Sequence, residues 1–435
     1  MSVYLDEYKR KLTTPEEAMA SLASGQTVIH GMATAEPPAL LAAMAERLRG
    51  GGLSEVKVYS LLPMAHAART ILAPDLCDRV VPHSWFVSAG DRNLVGLGLN
   101  YFVTNDFHEV PRLITDYMDV DLVVTTVSPM DNSGHFTFGL VNDYISTAAR
   151  RCKRLVVEVN PRMPRIFGDS LLHVSEVDAI VEHEEPLMEL VPGDSKPEAA
   201  AIGRTVSEMV PDGATIQLGF GAIPAAVGAY LDAHRDLGVH SELMCPVMAE
   251  LIKKGVITGR KKTLHPRRHV FTNAIGDQAL YDFLHDNPSM ASHPVNHTND
   301  PRVIARNADM IAINATIEVD LLGQCNSEYM AGHQFSGSGG QLDFVRGAFD
   351  APGGKAIIAF YATAKAGGVS RIVPRLEQGA IVTTTRNAAH WLVTEYGAAC
   401  LKGKSTRERA LAVIELAHPK FRDDLLKEAD NLRLL

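Results

Sequence analysis

The chain of 435 residues has few features that would suit it to an oxidising compartment or a membrane. Its five cysteines are scattered and contain no CxxC pair, so the sequence indicates neither a disulfide framework nor a structural zinc site. No stretch reaches the roughly 18 uninterrupted apolar residues of a membrane span, and the first residues lack the apolar run of a signal peptide. We therefore expect a soluble, cytoplasmic protein in a reducing compartment.

An excess of positive charge is also missing. Lys and Arg number 42 against 51 Asp and Glu, which gives a formal net charge of -9. Nucleic acids and anionic membranes attract basic surfaces, so neither is expected as a partner. The hydrophobic share of 46% is that of an ordinary globular protein, and the length suggests roughly two to four domains.

The common motifs of metal and phosphate chemistry are absent as well. The sequence has no HExxH motif and no EF-hand loop, so no metal site is expected. Residues 397–405 resemble a phosphate-binding P-loop but have five residues between the glycines instead of four. Ser405 and Glu408 are better explained as a capping box that opens a C-terminal helix.

Alternating strand-like and helix-like segments predict an α/β fold. Thr14, Pro15 and Glu17 have the spacing of a helix start, and this helix is expected to reach about Ala23. Strands are predicted at residues 26–30, 56–61, 120–127, 154–159, 215–218 and 356–361. The β-branched run at 120–127 is typical of a strand buried on both faces. The alternation predicts mainly parallel sheets with helices on both faces.

The second half of the chain repeats patterns of the first. Residues 25–32 are echoed by 213–220, residues 56–61 by 237–242, and residues 121–126 by 309–314. The sequence therefore predicts an old duplication. We expect two α/β domains, at residues 1–195 and 196–435, with a linker near residues 191–197.

Glu242 marks a difference between the two copies. The first copy has Leu61 at the corresponding position, and a charge in place of an apolar residue suggests a site in the second half only. Residues 237–242 are predicted to form a short strand that ends on this carboxylate. The alternative is that Glu242 caps a helix or lies at a solvated rim, because most surface glutamates have no chemical role.

Three glycine-rich loops in the second half are candidates for ligand binding. Residues 219–224 bring glycines to a predicted helix start, where anions and oxyanions are favoured, although a tight strand-to-helix turn is the alternative. Residues 336–347 join dense glycine to helix-like sequence, which favours a ligand-binding loop over a linker. In residues 363–371, Lys365 and Arg371 bracket two glycines, a pattern that suits phosphates or a simple β-turn.

A series of short motifs runs in order along nearly the whole chain. It comprises HSWF at 83–86, FHEVP at 107–111, VNP at 159–161, HSELM at 240–244, KKT at 261–263, LYDF at 280–283, NDP at 299–301, INATIEVDLLGQ at 313–324, GGQLDFVRGA at 339–348, SRIVP at 370–374 and AHP at 417–419. This series resembles the acetyl-CoA hydrolase/transferase family of class I CoA-transferases. It is most similar to the 4-hydroxybutyrate and butyryl-CoA:acetate members. Arg162 and residues 386–391 depart from the family pattern, which bears on the substrate more than on the reaction class.

The resemblance implies a duplicated CoA-transferase fold of two similar open, mainly parallel α/β domains, and a homodimer or homotetramer. It implies that Glu242 is the catalytic glutamate, that Asn299 lies near the acyl group, and that Gly340 supplies a backbone N–H to an oxyanion. The coenzyme A contacts that it implies are Gly219, Gly221, Ala222, Ile223 and Pro224 in the first loop, and Gly339, Gln341, Phe344 and Arg346 in the second. Lys365 of the third loop is a further candidate, because its charge suits phosphates.

The implied activity moves coenzyme A from a short-chain acyl-CoA to a small carboxylic acid of the 4-hydroxybutyrate, butyrate, acetate, succinate or itaconate type. A glutamate with a reference pKa of about 4.3 is expected to be ionised at neutral pH without a partner base. The implied route is ping-pong, with coenzyme A as substrate and as a transient glutamyl-CoA thioester, and with no permanently bound cofactor. Two alternatives stay open: hydrolysis of acyl-CoA, and binding of coenzyme A without catalysis.

Overall fold

The computed structural model describes residues 3–190, 193, 196–219 and 221–435. The described residues divide into two units, the first from residues 3–190, 271–297 and 333–337 and the second from residues 193–270, 298–332 and 338–435. Four residues of the predicted linker, Val191, Pro192, Asp194 and Ser195, lie outside the described residues. The predicted domain boundary at 195/196 therefore stays a prediction.

The first unit is built on a parallel sheet. The strands up to residue 190 are β1 (Thr27–His30), β2 (Val56–Leu61), β3 (Val80–Phe86), β4 (Tyr101–Phe102), β5 (Leu122–Val127), β6 (His135–Thr137), β7 (Arg154–Val159), β8 (Leu171–His173) and β9 (Ala179–Glu182). Seven form one sheet in the order β4-β3-β2-β1-β5-β7-β9, with every neighbouring pair parallel. All six side chains of β5 are buried, which confirms the strand predicted at residues 120–127.

The helices of this unit pack apolar side chains onto the sheet. They include α1 (Val3–Lys11), α2 (Pro15–Met19), α3 (Pro38–Arg49), α4 (Ala65–Arg69), α5 (Arg92–Gly96), α6 (Val110–Tyr117) and α7 (Ile145–Ala149), with 3-10 turns at Ala33–Ala35, Pro74–Leu76, Phe107–Glu109 and Val174–Glu176. Leu40 and Met44 of α3 share a core with Val124 of β5. The Thr14 side chain caps α2 as predicted, but the helix ends at Met19 instead of Ala23, because the Leu22 N–H turns back to the Met19 carbonyl.

The second unit is built on another large sheet. The strands after residue 196 are β10 (Thr215–Leu218), β11 (Gly238–Val239), β12 (Leu243–Met244), β13 (His269–Phe271), β14 (Asn273–Ala274), β15 (Met290–Ser292), β16 (Met310–Asn314), β17 (Glu318–Asp320), β18 (Cys325–Asn326), β19 (Tyr329–Met330), β20 (His333–Gln334), β21 (Lys355–Ala359), β22 (Thr363–Ala364), β23 (Val369–Ser370), β24 (Ile372–Val373), β25 (Trp391–Thr394) and β26 (Gly397–Cys400). Of these, β14, β15 and β20 belong to the first unit. The large sheet has the order β11-β10-β16-β21-β25-β26. Its pairs are parallel except for the antiparallel pair of β25 with β26. The expectation of mainly parallel sheets is therefore confirmed.

Helices cover the core of the second unit. The helices after residue 196 are α8 (Pro197–Glu208), α9 (Ala222–Ala229), α10 (Pro246–Lys253), α11 (Gln278–Leu284), α12 (Val295–Thr298), α13 (Pro301–Ile304), α14 (Gln341–Asp350), α15 (Thr406–Glu415) and α16 (Pro419–Asn431). Of these, α11 and the first three residues of α12 belong to the first unit. Phe344 of α14 and Val413 of α15 pack in one apolar core with Ile358 of β21. The predicted capping box is present, because Ser405 accepts from the Glu408 N–H and Glu408 accepts from the Ser405 N–H.

Three strands occupy corresponding places in the two large sheets. The order β2-β1-β5 in the first unit matches β11-β10-β16 in the second. The register of one pair of strands matches too, since Thr27 of β1 pairs with Lys57 of β2 and Thr215 of β10 pairs with Gly238 of β11. Counted along the chain from these pairs, Glu242 corresponds to Leu61 of the first unit. The duplication itself stays a prediction.

The length of the strand before Glu242 differs from the prediction. β11 ends at Val239, and the predicted strand of residues 237–242 continues only as an isolated bridge at His240. The His240 N–H still donates to the Ile216 carbonyl of β10, and the chain leaves the sheet after it, where the Ser241 N–H donates to Val270 outside the large sheet.

None of the helices in the described part of the chain combines the length and apolar character needed to cross a membrane.

Candidate active site

Glu242 follows β11 on a backbone that is anchored on both sides. His240 forms a parallel bridge with Val270, and the Ser241 N–H donates to the Val270 carbonyl at 3.0 Å. The Ser241 hydroxyl donates to the Leu243 carbonyl at 2.8 Å. These bonds hold the residues before and after Glu242, so its side chain leaves the backbone from a defined position.

Asn299 lies against the Glu242 carboxylate. Its amide Nδ2 donates to Glu242 Oε2 at 2.6 Å, a short hydrogen bond of the kind that a charged acceptor gives. The same two chain segments meet a second time where His240 Nε2 lies 2.8 Å from the Thr298 carbonyl oxygen. Asp300 then caps α13 by accepting from the Arg302 N–H. The contact between Asn299 and Glu242 is thus supported by its neighbours on either side.

Gly340 completes the surroundings of the carboxylate. It lies at the N-terminus of α14, and its backbone hydrogen-bonds Glu242. A Cβ at Gly340 would overlap both Glu242 Oε2 and Asn299 Nδ2. Farther along α14, a Cβ at Gly347 would overlap Ile304 of α13. Two glycines therefore allow α14 to approach α13 and the carboxylate closely.

The environment shifts the proton affinity of Glu242. Burial raises the pKa of this partly buried carboxyl to about 7, because the charged form loses solvation. The Asn299 amide lowers the pKa, the charge of Asp343 raises it, and the Gly340 backbone lowers it. The expectation of full ionisation at neutral pH is therefore wrong, since about half of the carboxyls carry a proton near pH 7. Desolvation was invisible in the local sequence.

This arrangement suits covalent chemistry at a carboxylate. A pKa near 7 leaves a large ionised fraction at neutral pH and makes that fraction more nucleophilic than an ordinary glutamate. The donors from Asn299 and Gly340 contact the carboxylate itself, so they also face the oxygen that gains charge if the Glu242 carbonyl is attacked. The site can thus stabilise both the attacking carboxylate and a later tetrahedral intermediate.

The first predicted ligand loop lies at the same sheet edge as Glu242. β10 and β11 are parallel neighbours, and the loop 219–224 follows the carboxyl end of β10. Gly221 has a φ of 128° and stands at the N-terminus of α9, whose first turn holds Ala222, Ile223 and Pro224. Phe220 lies outside the described residues. The placement agrees with a ligand loop and equally with a tight turn, so these coenzyme A contacts stay predictions.

The residues predicted to bind coenzyme A in the second and third loops differ from one another in burial. Gly339 has a φ of 50°, and Gln341 is buried with an Nε2 that lacks a partner among the described residues. Phe344 is fully buried in the core of its unit, and Arg346 is exposed on α14. Lys365 is exposed in the hairpin between β22 and β23, a placement that agrees with a β-turn and equally with a phosphate-binding loop. Contacts of these residues with coenzyme A stay predictions.

Sequence reasoning missed the role of Asp343. This residue belongs to the GGQLDF motif, yet it was not singled out as part of the site. It is fully buried in the first turn of α14, and its charge raises the pKa of Glu242. A carboxylate three residues after a glycine pair at a helix start was the available signal, because helix N-termini favour negative charge.

Comparison with known proteins identifies the relatives of this chain in sequence and in structure. The model of the acetyl-CoA hydrolase/transferase N-terminal domain matches residues 1–192, and that of the C-terminal domain matches residues 276–429. The chain is 42% identical to succinyl-CoA:cyclohexane-1-carboxylate CoA transferase of Geobacter metallireducens, over 98% of this chain and 96% of the relative. It is also 42% identical to 4-hydroxybutyrate coenzyme A transferase of Clostridium kluyveri, over 97% of each. The crystal structure of RipA from Yersinia pestis superposes with a TM-score of 0.96 at 46% identity, over 99% of this chain and all of that one.

Replacing Asp343 by Asn should lower the pKa of Glu242, because the substitution removes the charge that opposes ionisation of the carboxyl. The measurement is a carbon-13 NMR titration of protein labelled at the glutamate carboxyl, with Glu242→Gln used to assign the signal. The matched control is Asp350→Asn, which removes the same charge from an exposed position on α14. Equal midpoints in the two variants would contradict the role given to Asp343.

Proposed function

Since this chain belongs to the acetyl-CoA hydrolase/transferase family, we propose that it moves coenzyme A from a short-chain acyl-CoA to a small carboxylic acid, with Glu242 as nucleophile. The CoA-transferase class follows from the curated relatives, which are named CoA transferases and which this chain matches over nearly their full length. The observation that carries the proposed role of Glu242 is its carboxylate, held by the Asn299 amide at 2.6 Å and by the Gly340 backbone.

The first step forms a mixed anhydride. An oxygen of ionised Glu242 attacks the thioester carbonyl carbon, a C–O bond forms, and the C–S bond breaks to release the coenzyme A thiolate. The elevated pKa of Glu242 strengthens this attack, provided that the proton has left first.

The second step exchanges the acyl group for coenzyme A on the enzyme. The thiolate attacks the glutamyl carbonyl, the acyl group departs as a carboxylate, and Glu242 is left as a thioester of coenzyme A. Negative charge develops on the Glu242 oxygen during this attack, where the Asn299 amide and the Gly340 N–H are placed to receive it. Loss of one such donor typically costs roughly 3–4 kcal/mol.

The third stage reverses these bonds with a different acid. The incoming carboxylate attacks the glutamyl-CoA thioester, and the released thiolate then attacks the new anhydride to form the product acyl-CoA. Thioester energy is conserved because each bond broken is replaced by one of similar reactivity. The scheme predicts ping-pong kinetics. The choice of acid, the homodimer or homotetramer and the cytoplasmic location stay predictions.

The covalent intermediate is directly testable by intact-protein mass spectrometry. We expect a panel of acyl-CoAs, without an acceptor acid, to leave coenzyme A on Glu242. Loading is best done at about pH 8, where a carboxyl of pKa about 7 is mostly ionised, followed by an acid quench that preserves thioesters. The donors that load the protein identify the acyl class.

Two variants control this experiment. Glu242→Ala should accept no coenzyme A, whereas Glu250→Ala, which removes an exposed glutamate on α10, should load as the native protein does. Rapid release of coenzyme A without an adduct would contradict the transferase proposal and favour an acyl-CoA hydrolase. If no donor gives either an adduct or released coenzyme A, the result would contradict catalysis and favour a protein that only binds coenzyme A.

The pH dependence of kcat/KM should report the Glu242 proton. Because attack needs the ionised carboxyl, kcat/KM should rise with pH through about 7 and level off above it, with the midpoint lower in Asp343→Asn. Steady-state rates between about pH 5.5 and about pH 8.5 test this, a range in which simple carboxylic acid substrates stay ionised. A kcat/KM that does not change with pH across this range would contradict the assignment of Glu242 as the titrating nucleophile.

Gly219→Ala distinguishes a coenzyme A loop from a simple turn. Among the described residues, a Cβ at Gly219 meets only the Ile313 carbonyl at 3.7 Å and Pro224 at 3.8 Å, so the free protein accommodates alanine. If the loop backbone contacts coenzyme A, KM for acyl-CoA should rise several-fold while the melting temperature stays unchanged. Gly96→Ala, which has no neighbour within 4 Å, is the control. An unchanged KM in Gly219→Ala would favour the simple turn.

A further inference from the structure

Lys262 is a buried lysine to which the proposed mechanism gives no role. Only 4% of its surface is exposed, and no carboxylate pairs with it in the described part of the chain. Its Nζ donates to two backbone carbonyls instead, that of Val239 at 2.6 Å and that of Arg268 at 2.8 Å. Lysines are rarely buried without an acidic partner, so this placement requires an explanation.

The two carbonyls belong to the segments that hold Glu242. Val239 is the last residue of β11, three residues before Glu242. Arg268 lies two residues before Val270, whose backbone pairs with His240 and accepts the Ser241 N–H. Lys262 therefore joins the two segments just upstream of the point where they pair with each other.

The stem of Lys262 explains a glycine in the same strand. A Cβ at Gly238 would overlap Lys262 Cγ, although the φ of Gly238 is not in the left-handed region. The corresponding position in the first unit is Lys57, where a side chain is accommodated. The glycine is thus required by the overlying lysine and not by the backbone conformation.

The chemistry of the amine fits its two acceptors. Burial lowers the pKa of Lys262 to about 7, so a large fraction is neutral at physiological pH. A neutral amine has two N–H donors, one for each carbonyl, and therefore keeps both bonds after losing its proton. Buried His269 is the titratable neighbour, and burial together with the charge of Lys262 lowers its pKa to about 4, so it adds no charge at neutral pH.

We infer that Lys262 is a positioning residue for Glu242, since its Nζ joins β11 to the segment before Val270 and so sets where the carboxylate lies between Asn299 and Gly340. The inference rests on the proposed function for its kinetic consequence, but its structural consequence is independent of turnover.

Lys262→Met tests the inference, because methionine keeps much of the stem and removes both donors. We expect kcat to fall about 10- to 100-fold, as displacement of a reacting group by about 1 Å does, with KM for acyl-CoA little changed. The carbon-13 titration midpoint of Glu242 should also move, which a loss of overall stability alone would not produce. Rates are measured well below the melting temperature of each variant.

Lys261→Met is the matched control, because it removes the same charge from the adjacent, exposed lysine. It should leave kcat within about twofold, as ordinary surface substitutions do, and should leave the Glu242 titration unchanged. Should Lys262→Met fail to fold, Gly238→Ala keeps every hydrogen-bonding atom, displaces the lysine stem and should change kcat and the titration in the same direction.

The outcomes separate the two proposals. If the native protein shows no turnover but the titration midpoint of Glu242 moves in Lys262→Met, the positioning role is retained and the proposed function is rejected. If the native protein turns over, and Lys262→Met or Gly238→Ala has the same kcat and the same Glu242 titration midpoint as Lys261→Met, the positioning role is overturned.

Discussion

Burial of the Glu242 carboxylate is the constraint on which the candidate site depends. A charged group loses solvation when it is buried, and Glu242 responds with a pKa of about 7. Asp343 adds to the electrostatic cost of ionisation, while the Asn299 amide and the Gly340 backbone reduce it. The balance leaves a carboxylate that is partly ionised at neutral pH and more basic than an exposed glutamate. With fewer donors the group would stay protonated, and with more solvent it would be an ordinary, weaker nucleophile.

Close approach of backbone to backbone makes these donors available. Gly340 lies where any side chain would overlap the carboxylate, and Gly347 lets α14 pack tightly on α13, the helix that follows Asn299. Gly238 makes room for the Lys262 stem beside β11. Each glycine serves a different contact, yet all three bring parts of one unit closer to the same functional group.

The parallel sheet explains why distant segments meet at Glu242. Parallel neighbours β10 and β11 end at one edge, so the loop after β10 and the segment after β11 are adjacent although the chain between them includes α9. Ligands of open α/β sheets bind at such carboxyl edges, because the connecting loops and helix starts gather there. The early end of β11 frees Glu242 from the sheet and lets its neighbours pair with Val270 instead.

Features set by local chemistry were readable in the sequence. The capping box at Ser405, the buried β-branched strand β5, the alternation that gives parallel sheets and the candidacy of Glu242 all follow from neighbouring residues or from internal comparison. Family resemblance added Asn299 and Gly340, which the structure brings to Glu242. Only tertiary structure decided the pKa of Glu242, the influence of Asp343 and the burial of Lys262. Helix caps and strand patterns depend on residues a few positions apart, whereas desolvation and charge interactions depend on groups that only folding brings together.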